Sequence, residues 1–327
     1  MAQAIIYDVI IIGSGPSGLT AAIYLGRARR KVLLFTGLSF GGQLMKTTLV
    51  ENFPGFAEGI LGPKLMIAMR TQAQKFGTEI IDNEVSKVDF SKQPCIIFEG
   101  EKKYQTRSVL IATGAEPIML GLANEKQWYG RGLSTCAVCD AAFYKDKITY
   151  VVGGGDSAVE DTVALTKYAA KVFMVVRRDE LRASQIMQEK VKTHPKVTIL
   201  WHSEVTAIRG SNNIEGLEIT DNKSGNKTSV PADGLFYAIG HKPQSKLFAG
   251  QLELDQAGYI TTQLTQAKSG SAHDVWLDKY PSMTSKAGIF AAGDVVDFRY
   301  RQAVTAAAYG TMAALDIDKW LNHQVIK

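Results

Sequence analysis

A glycine-rich turn between an apolar run and a helical pattern occurs twice in this chain, and it restricts the possible folds more than any other feature. The first turn reads GSGPSG at residues 13–18, follows the run YDVIII and precedes the helical pattern LTAAIYLGRAR. In G-x-G-x-x-G the first glycine makes a tight turn, the second lets a pyrophosphate approach the backbone, and the third packs helix against strand. The sequence therefore predicts a Rossmann-like dinucleotide site at Gly13, Gly15 and Gly18.

The second turn reads GGGDSA at residues 153–158 and follows the run KITYVV. The strand predicted next, KVFMVV, ends in Arg177 and Arg178, with Arg182 one turn further on. Arginines in place of an acidic residue at this point favour the 2′-phosphate of NADP over the ribose of NAD. A solvated helix start is the alternative explanation of these arginines. Two such turns in one chain predict two nucleotide cofactors, with hydride passing between them.

The strand after the first turn differs from this pattern. KVLLFTG ends in Thr36 and Gly37, where the fingerprint has an acidic residue that binds the ribose. This end argues against a plain NAD site in the first domain.

The domain order follows from where strands end. Similar strand ends at Thr113-Gly114 and Ile239-Gly240 are each followed by a proline-containing linker. The late run GIFAAGD (288–294) and the helix from Ala303 have no other sheet to join, so the chain returns to the first domain. We expect an α/β protein with two Rossmann-like, three-layer ββα domains. The predicted bounds are 1–115 and 244–327 for the discontinuous domain and 116–243 for the inserted one.

Composition and charge restrict the partners. The net charge of +5 is spread along the chain, so it gives little support for nucleic-acid binding and fits anionic cofactors equally well. No stretch approaches the 18 apolar residues of a membrane span. The chain has three cysteines, and its N-terminus lacks the basic stretch and cleavage site of a signal peptide. We therefore expect a reducing, cytoplasmic compartment.

Two of the cysteines form the C-x-x-C of STCAVCDAAF, at Cys136 and Cys139. A structural zinc needs four ligands, and only Cys95 and five scattered histidines remain, so no metal site is expected. A C-x-x-C at the start of a helix supplies a reactive thiolate, and Ser134 and Thr135 are candidate caps for that helix. The pattern therefore predicts a redox pair. Cys95, in the strand-like PCIIF, is expected to be an inert core thiol.

These motifs together resemble the low-molecular-weight thioredoxin reductases, flavoproteins that pass electrons from NADPH through FAD to the dithiol of thioredoxin. Nearly all of the chain takes part in the resemblance. The matching blocks, in family order, are GSGPSG, GGQL with VENFPG, ATGA, CAVCD, GGGDSA, RRDELRAS, YAIGHKP, AAGDV and YRQAVTAA.

The resemblance implies two sets of cofactor-binding residues. FAD would be held in the discontinuous domain by Gly13, Ser14, Gly15, Pro16, Gly18, Thr36, Gly37, Gly41, Gly42, Gln43, Asn52, Thr113, Gly114, Asp294, Arg301, Gln302 and Ala303. NADPH would be held in the inserted domain by Gly153, Gly155, Asp156, Ser157, Ala158, Arg177, Arg178, Arg182, Ile239 and Gly240.

The resemblance also implies the catalytic roles. Cys139 would lie against the flavin, Cys136 would exchange with the disulfide of the partner, and Asp140 would protonate the leaving thiolate as a general acid. The expected partner is thioredoxin or a thioredoxin-like protein, and the expected assembly is a homodimer. In this family the NADPH domain rotates on its two linkers, which here follow Gly114 and Gly240.

Four stretches depart from the family pattern. Val176 stands where the family has a histidine before the arginine pair. Ala141 and Ala142 replace a glycine and an aromatic residue after C-x-x-C-D, which removes one apolar contact for the partner. Tyr309 replaces a small residue and would lie near the flavin ring or at a dimer surface. Residues 264–284 are longer than the usual connection and would pack on themselves or contact a partner.

Other functions on the same scaffold stay open at this stage. They are a flavin dithiol oxidase using oxygen, a ferredoxin-driven thioredoxin reductase, and a reductase linked to a peroxiredoxin. The arginines of the inserted domain argue against relatives that do not use NADPH, and the chain contains no thioredoxin-like N-terminal domain of the peroxidase-linked type. A flavin-binding scaffold or redox sensor without turnover is a fourth possibility, which the intact C-x-x-C-D disfavours.

Overall fold

The computed structural model describes residues 5–266 and 280–325. By its internal contacts the chain divides into two compact units, Met1–Glu116 with Lys242–Lys327, and Pro117–His241. We call them the discontinuous unit and the inserted unit. None of the helices in the described ranges combines the length and apolar character that a bilayer crossing needs.

The described residues form strands and helices, with runs of consecutive strands between some of the helices. The strands are β1 (Ile6–Ile12), β2 (Val32–Phe35), β3 (Leu49–Val50), β4 (Ile60–Leu61), β5 (Glu79–Ile81), β6 (Lys87–Asp89), β7 (Cys95–Glu99), β8 (Lys102–Ile111), β9 (Ala115–Pro117), β10 (Leu133–Ser134), β11 (Ile148–Val152), β12 (Lys171–Val175), β13 (Val197–Leu200), β14 (Ser203–Gly210), β15 (Ile214–Asp221), β16 (Lys227–Pro231), β17 (Gly234–Tyr237), β18 (His241–Pro243) and β19 (Ile289–Ala291). The helices are α1 (Pro16–Arg27), α2 (Gly62–Lys75), α3 (Ala137–Asp140), α4 (Asp156–Thr166), α5 (Gln185–Lys192), α6 (Gln263–Gln266) and α7 (Ala303–Val325).

The discontinuous unit is built on one sheet in the order β5-β2-β1-β8-β7-β6, with β19 also paired to β8. Strands β5, β2, β1, β8 and β19 are parallel, and β6 and β7 are antiparallel additions. Val9 and Ile11 pack with the helices on one face, whereas Ile10 and Ile12 pack with β6 and β7 on the other. A run of buried β-branched residues suits a strand that is covered on both faces.

The inserted unit also has a parallel sheet with helices on one face and antiparallel strands on the other. Its parallel sheet has the order β10-β17-β11-β12-β13, and β14, β15 and β16 form an antiparallel sheet. Val151 and Phe236 pack with α4, whereas Tyr150 and Leu235 pack with Val205 of β14. The expected fold class of two ββα Rossmann-like domains is therefore confirmed. The assignment of one unit to FAD and the other to NADPH stays a prediction.

Candidate active site

The three glycines of the turn between β1 and α1 differ in the space beside their Cα atoms among the described residues. Gly13 has a φ of +115°, and a Cβ there would collide with the carbonyl oxygen of Ala112. A Cβ on Gly18 would likewise collide with the Gly13 carbonyl, whereas one on Gly15 would meet no described atom within 4 Å. Gly15 precedes α1, whose first residue is Pro16. Open backbone at a helix N-terminus suits a phosphate group.

Ser14 joins three of the predicted cofactor segments. Its buried hydroxyl donates to the Thr36 carbonyl at 3.0 Å and accepts from the Gly41 N–H at 3.0 Å. Gly42 then faces the turn, since a Cβ built on it would lie 3.9 Å from the Gly15 Cα. The Ser14 side chain therefore positions the loops, because its hydroxyl is already occupied by backbone.

Three polar atoms around this turn are buried without a hydrogen-bond partner in the part of the chain that the structure describes. They are Ser17 Oγ, Gln43 Oε1 and Asp294 Oδ1. Burial is the main cause that raises the pKa of Asp294 to about 7; Asp297 raises it further and Arg301 opposes the rise. Buried polar groups are nearly always satisfied in proteins, so this set fits a ligand rich in polar atoms. Asp294 follows β19, at the carboxyl end of a parallel strand, where such ligands bind.

The segment before α7 brings other predicted residues together. The Asn52 amide donates to Gln302 Oε1 at 3.3 Å. The Gln302 backbone is held by Thr305, whose hydroxyl accepts from its N–H at 3.2 Å and donates to its carbonyl at 2.9 Å. Ala303 is the first residue of the helix. The start of α7 is therefore ordered beside Asn52.

Asp297 was missed by the sequence analysis, although it shapes this segment. Its buried carboxylate accepts hydrogen bonds from the N–H groups of Arg299, Tyr300 and Arg301, at 2.8 to 2.9 Å. Arg301 is held at a φ of +49°, a region that non-glycine residues rarely adopt. An aspartate followed by a short polar segment is a known turn signal, and it was available in DFRYR.

Thr113 and Gly114, at the end of β8, contact Gln244. The Thr113 hydroxyl donates to the Gln244 carbonyl at 2.6 Å, and the Gln244 N–H donates to the Gly114 carbonyl at 2.9 Å. Gly37, after β2, receives support from β5, because its N–H donates to the Asn83 carbonyl at 3.1 Å. These predicted residues are therefore tied into backbone networks of the discontinuous unit.

The turn between β11 and α4 has the same backbone form. Gly153 has a φ of +146°, and a Cβ on it would lie 2.5 Å from the Ala238 carbonyl oxygen. Gly155 precedes α4, and a Cβ on it would meet no described atom within 4 Å. Ala158 is fully buried and Ser157 is exposed. At the far strand end, the Gly240 carbonyl accepts from the Ile118 N–H at 3.0 Å, and Ile239 is half-buried.

Asp156 holds the arginine-bearing loop. Its carboxylate accepts from the Ser184 N–H at 2.9 Å and from the Ser184 hydroxyl at 3.0 Å. The Gly154 carbonyl accepts from the Arg182 N–H at 2.7 Å and from the Ala183 N–H at 3.1 Å. The loop after β12 is therefore fixed at its far end to the glycine turn.

The side chains of Arg177, Arg178 and Arg182 are exposed, so their charges face solvent. None of them takes part in a salt bridge among the described residues. Val176, which stands where the family has histidine, is buried in the core of the inserted unit. Three unpaired arginines on an anchored loop suit an anionic group such as a phosphate.

Cys136 and Cys139 form a disulfide with their Cα atoms 5.3 Å apart. Cys136 is itself the N-cap of α3, because its sulfur accepts from the Cys139 N–H at 3.2 Å. The predicted caps were wrong: the Ser134 hydroxyl accepts from the Cys136 N–H at 3.1 Å, and Thr135 bonds to the Tyr129 hydroxyl at 2.8 Å. These residues order the segment before the helix.

Asp140 completes the cysteine segment. Burial raises the pKa of its carboxyl, and a hydrogen bond with Ser134 opposes the rise. Asp140 in turn helps to raise the pKa values of Tyr129 and Tyr144, for which burial is the larger cause. Among the described residues its side chain makes no capping hydrogen bond to the 3-10 turn that follows. A half-buried carboxyl with a raised pKa is suited to carry a proton.

The remaining predicted features concern packing. Cys95 is 1% exposed, and burial raises its pKa to about 11, so it is a core thiol. No cluster of three or more metal-ligating side chains occurs in residues 5–266 and 280–325. Tyr309 is half-buried against both core clusters of the discontinuous unit. Most of the long connection, including Trp276, lies outside the described residues, whereas the Tyr280 hydroxyl bonds to His323 at 2.8 Å.

Comparison with known proteins defines the class. The family model "pyridine nucleotide-disulphide oxidoreductase" matches residues 7–310. A thioredoxin reductase of Mycolicibacterium smegmatis is 44% identical over 319 residues, covering 98% of this chain and 98% of the relative. One of Chlamydia pneumoniae is 47% identical over 321 residues, covering 96% and 98%.

Solved structures agree. A thioredoxin reductase from Giardia duodenalis matches with a TM-score of 0.87 and 40% identity, and one from Streptococcus pyogenes with 0.88 and 36%. Each match covers 98% of this chain and 100% of the solved chain. The chain therefore belongs to the pyridine nucleotide-disulphide oxidoreductases and, within them, to the thioredoxin reductase family. It is an oxidoreductase, and the family implies FAD and NADPH as cofactors. The open glycine backbones, the three buried polar atoms and the exposed arginines fit these two groups.

Proposed function

We propose that this protein is an NADPH-dependent thioredoxin-disulphide reductase. The observation that carries the proposal is the Cys136–Cys139 disulfide with Asp140 beside it, in the same unit as a dinucleotide turn and three exposed arginines. A flavin scaffold or redox sensor without turnover has no need for an acid at the disulfide. The relatives are named thioredoxin reductases, and the similarity extends over nearly their whole length.

The discontinuous unit is proposed to bind FAD. The backbone at Gly15 and the start of α1 would face the pyrophosphate, because the site is open and the helix dipole favours negative charge. Asp294 would accept hydrogen bonds from hydroxyl groups of the cofactor, and Gln43 would accept one from its polar edge. The start of α7 would present the Ala303 backbone N–H to the flavin, since the Gln302 N–H already donates to Thr305.

The inserted unit is proposed to bind NADPH. Gly155 and the first turn of α4 would contact the pyrophosphate. Arg177 and Arg178 would pair with the 2′-phosphate, with Arg182 nearby on the same loop. Asp156 would act through Ser184 by fixing this loop, since its carboxylate already accepts two hydrogen bonds there.

FAD, when bound, supplies the two-electron relay between the nicotinamide and the disulfide. Reduction of the Cys136–Cys139 bond consumes two electrons and two protons and gives two thiols. Asp140 would donate one of these protons to the sulfur that leaves first, because its half-buried carboxyl holds a proton at higher pH than an exposed one. Cys136 would then lose its proton and attack the disulfide of the partner protein as a thiolate. Cys139 would resolve the mixed disulfide by attacking Cys136, and the two protons would pass to the two sulfurs of the reduced partner.

Three further features belong to this proposal. The partner would be thioredoxin or a thioredoxin-like protein, the assembly would be a homodimer and the compartment would be the cytoplasm. The first follows from the names of the relatives. The reducing environment expected from the few cysteines favours the last.

The test is NADPH oxidation with purified enzyme and an oxidised thioredoxin under argon. We expect turnover with NADPH in wild type and none in Cys136→Ser or Cys139→Ser. Cys95→Ala is the matched control, because it removes the third thiol, which is buried in the core of the discontinuous unit, and should leave turnover unchanged. Electron transfer that needs oxygen as acceptor would favour a dithiol oxidase, and turnover only with reduced ferredoxin would favour the ferredoxin-driven class.

A further inference from the structure

The end of β2 lacks the acidic residue that a Rossmann site uses to bind ribose, since Thr36 and Gly37 stand there. A carboxylate follows the neighbouring strand β5 at the same level along the sheet. Phe35 pairs with Ile81 in the parallel register, so Asp82 follows β5 as Thr36 follows β2. An acid is therefore available at this corner, one strand away from its usual position.

The backbone holds Asp82 beside the two residues that replace the acid. The Thr36 N–H donates to the Ile81 carbonyl at 3.0 Å, and the Gly37 N–H donates to the Asn83 carbonyl at 3.1 Å. The residues before and after Asp82 therefore accept backbone hydrogen bonds that extend the β2–β5 pairing. A Cβ on Gly37 would meet no described atom within 4 Å, so the space next to Gly37 is open.

Arg70 of α2 fixes the carboxylate. Its guanidinium donates to both Asp82 oxygens, at 2.7 and 2.6 Å, and lies over the Phe40 ring at 4.9 Å from the centroid. This pairing is the main cause that lowers the pKa of Asp82, so the group is ionised at neutral pH. A bidentate arginine uses one lone pair on each oxygen, and Thr36 also hydrogen-bonds to the carboxylate, so one lone pair is left to accept from a ligand.

The pair remains accessible to a ligand. The Asp82 side chain is 59% exposed and that of Arg70 is 25% exposed. Ion pairs at the protein surface in general contribute little to stability. Stability alone therefore gives little reason for an oriented carboxylate at the ribose corner of a dinucleotide site.

We propose that Asp82 binds the 2′-hydroxyl of the adenosine ribose of FAD, in place of the missing acid at the end of β2, and that Arg70 orients it for this contact. The inference rests on the proposed binding of FAD in the discontinuous unit. It assigns a binding residue and a positioning residue that the sequence motifs do not contain. It also explains how a site with Thr36 and Gly37 at the strand end can still recognise a ribose.

The test measures dissociation constants of flavin-stripped, full-length protein by quenching of flavin fluorescence. The ligands are FAD and an FAD analogue that carries 2′-deoxyadenosine. We expect wild type to bind the analogue about tenfold more weakly than FAD, which is the size of one hydrogen bond to a charged group. Asp82→Asn should bind FAD about tenfold more weakly than wild type does, and should distinguish FAD from the analogue less than wild type does, because a neutral amide oxygen is a weaker acceptor than a carboxylate.

Asp8→Asn is the matched control. Asp8 also pairs with an arginine of the same unit, Arg107 at 3.2 Å, but it lies in the first half of β1, away from the carboxyl ends of the strands. Its substitution should leave both affinities unchanged. If Asp82→Asn weakens both ligands equally, or neither, Asp82 does not bind the ribose while FAD binding itself stands. If wild type binds no FAD, the proposed cofactor site fails and this inference fails with it.

Discussion

The two glycine turns have the same backbone form, yet their surroundings differ in burial and charge. Beside the turn at 13–18, Ser17 and Asp294 each bury a polar atom that no described residue satisfies. Beside the turn at 153–158, the polar side chain of Asp156 is satisfied by Ser184, and the nearby arginines are exposed. The turn at 13–18 therefore lies next to buried polar atoms, and the turn at 153–158 lies next to exposed charged side chains.

The last residue of the six-residue turn, Gly18 or Ala158, also differs between the two units. A Cβ on Gly18 would strike the Gly13 carbonyl, and a Cβ on Gly310 of α7 would strike the Ser17 carbonyl, so α1 is packed backbone to backbone. In the inserted unit Ala158 is accepted at the equivalent position and is fully buried. The two turns therefore differ in how closely the backbone of the following helix packs: a side-chain methyl group is excluded at Gly18 and is accommodated at Ala158.

The largest expected effect is a loss of turnover in the inserted unit without a loss of bound FAD. Asp140→Asn keeps the shape of the side chain and removes its proton, so turnover should fall about 100- to 10,000-fold. That is roughly 3 to 5 kcal/mol at 1.36 kcal/mol per tenfold. Steady-state rates and FAD content of the same preparation check this. Turnover within about twofold of wild type would mean that Asp140 only shapes the segment after α3.

Removing the exposed arginines tests whether the charges beside the turn at 153–158 bind the 2′-phosphate of NADPH. Each charge-assisted contact is worth about 1.5–3 kcal/mol, so Arg177→Ala with Arg178→Ala should raise the KM for NADPH at least tenfold. The KM for NADH should stay the same, because NADH carries no 2′-phosphate. Arg209→Ala, an exposed arginine on β14, is the control. Equal changes for both nucleotides would show that the loop, and not its charge, was disturbed.

Exchange of the sixth residue of each turn, Gly18 or Ala158, tests the packing contrast. Gly18→Ala should lower the free energy of unfolding by about 1–3 kcal/mol and reduce FAD content, because the new methyl group overpacks the α1 contact. Ala158→Gly should cost about 1 kcal/mol, the helix-propensity difference, without changing FAD content. Denaturant titrations and absorbance spectra of both variants supply the comparison. Equal FAD contents would remove the distinction between the two turns.

The smallest expected effect concerns the buried carboxyl of the discontinuous unit. Asp294 has a pKa of about 7 without ligand, and hydroxyl groups that donate to it favour its ionised form. FAD should therefore bind more tightly as pH rises toward about 7 and level off above it, with up to tenfold per pH unit on the acid side. Dissociation constants between pH 5.5 and 8.5 should lose this slope in Asp294→Asn. An unchanged slope in the variant would assign the titration to another group.

Much of this fold was predictable because local pattern and tertiary structure agree. The apolar run before Gly13 is a buried strand, and the turn and helix follow in the expected order. The C-x-x-C also lies at a helix start, as its spacing predicts. The exact cap was not predictable, since a cysteine sulfur accepts the hydrogen bond that serine or threonine usually takes.

The features that escaped prediction depend on contacts between distant segments. Ser14 joins Thr36 to Gly41, the β2–β5 register places Asp82 beside Thr36, and Arg70 of α2 pairs with Asp82. Asp156 belongs to the motif, yet its hydrogen bonds go to Ser184 on another segment. No spacing rule within one motif contains these partners, because they are fixed only when the sheet is assembled.

The central claim is that the Cys136–Cys139 disulfide takes electrons from NADPH in series with a flavin. Anaerobic titration with NADPH, followed by flavin bleaching, tests it directly, because each of the two acceptors takes one electron pair. Wild type should consume about two equivalents of NADPH per chain before the flavin is fully bleached, and Cys139→Ser should consume about one. Equal consumption by wild type and Cys139→Ser would contradict the account, since the disulfide would then lie outside the electron path.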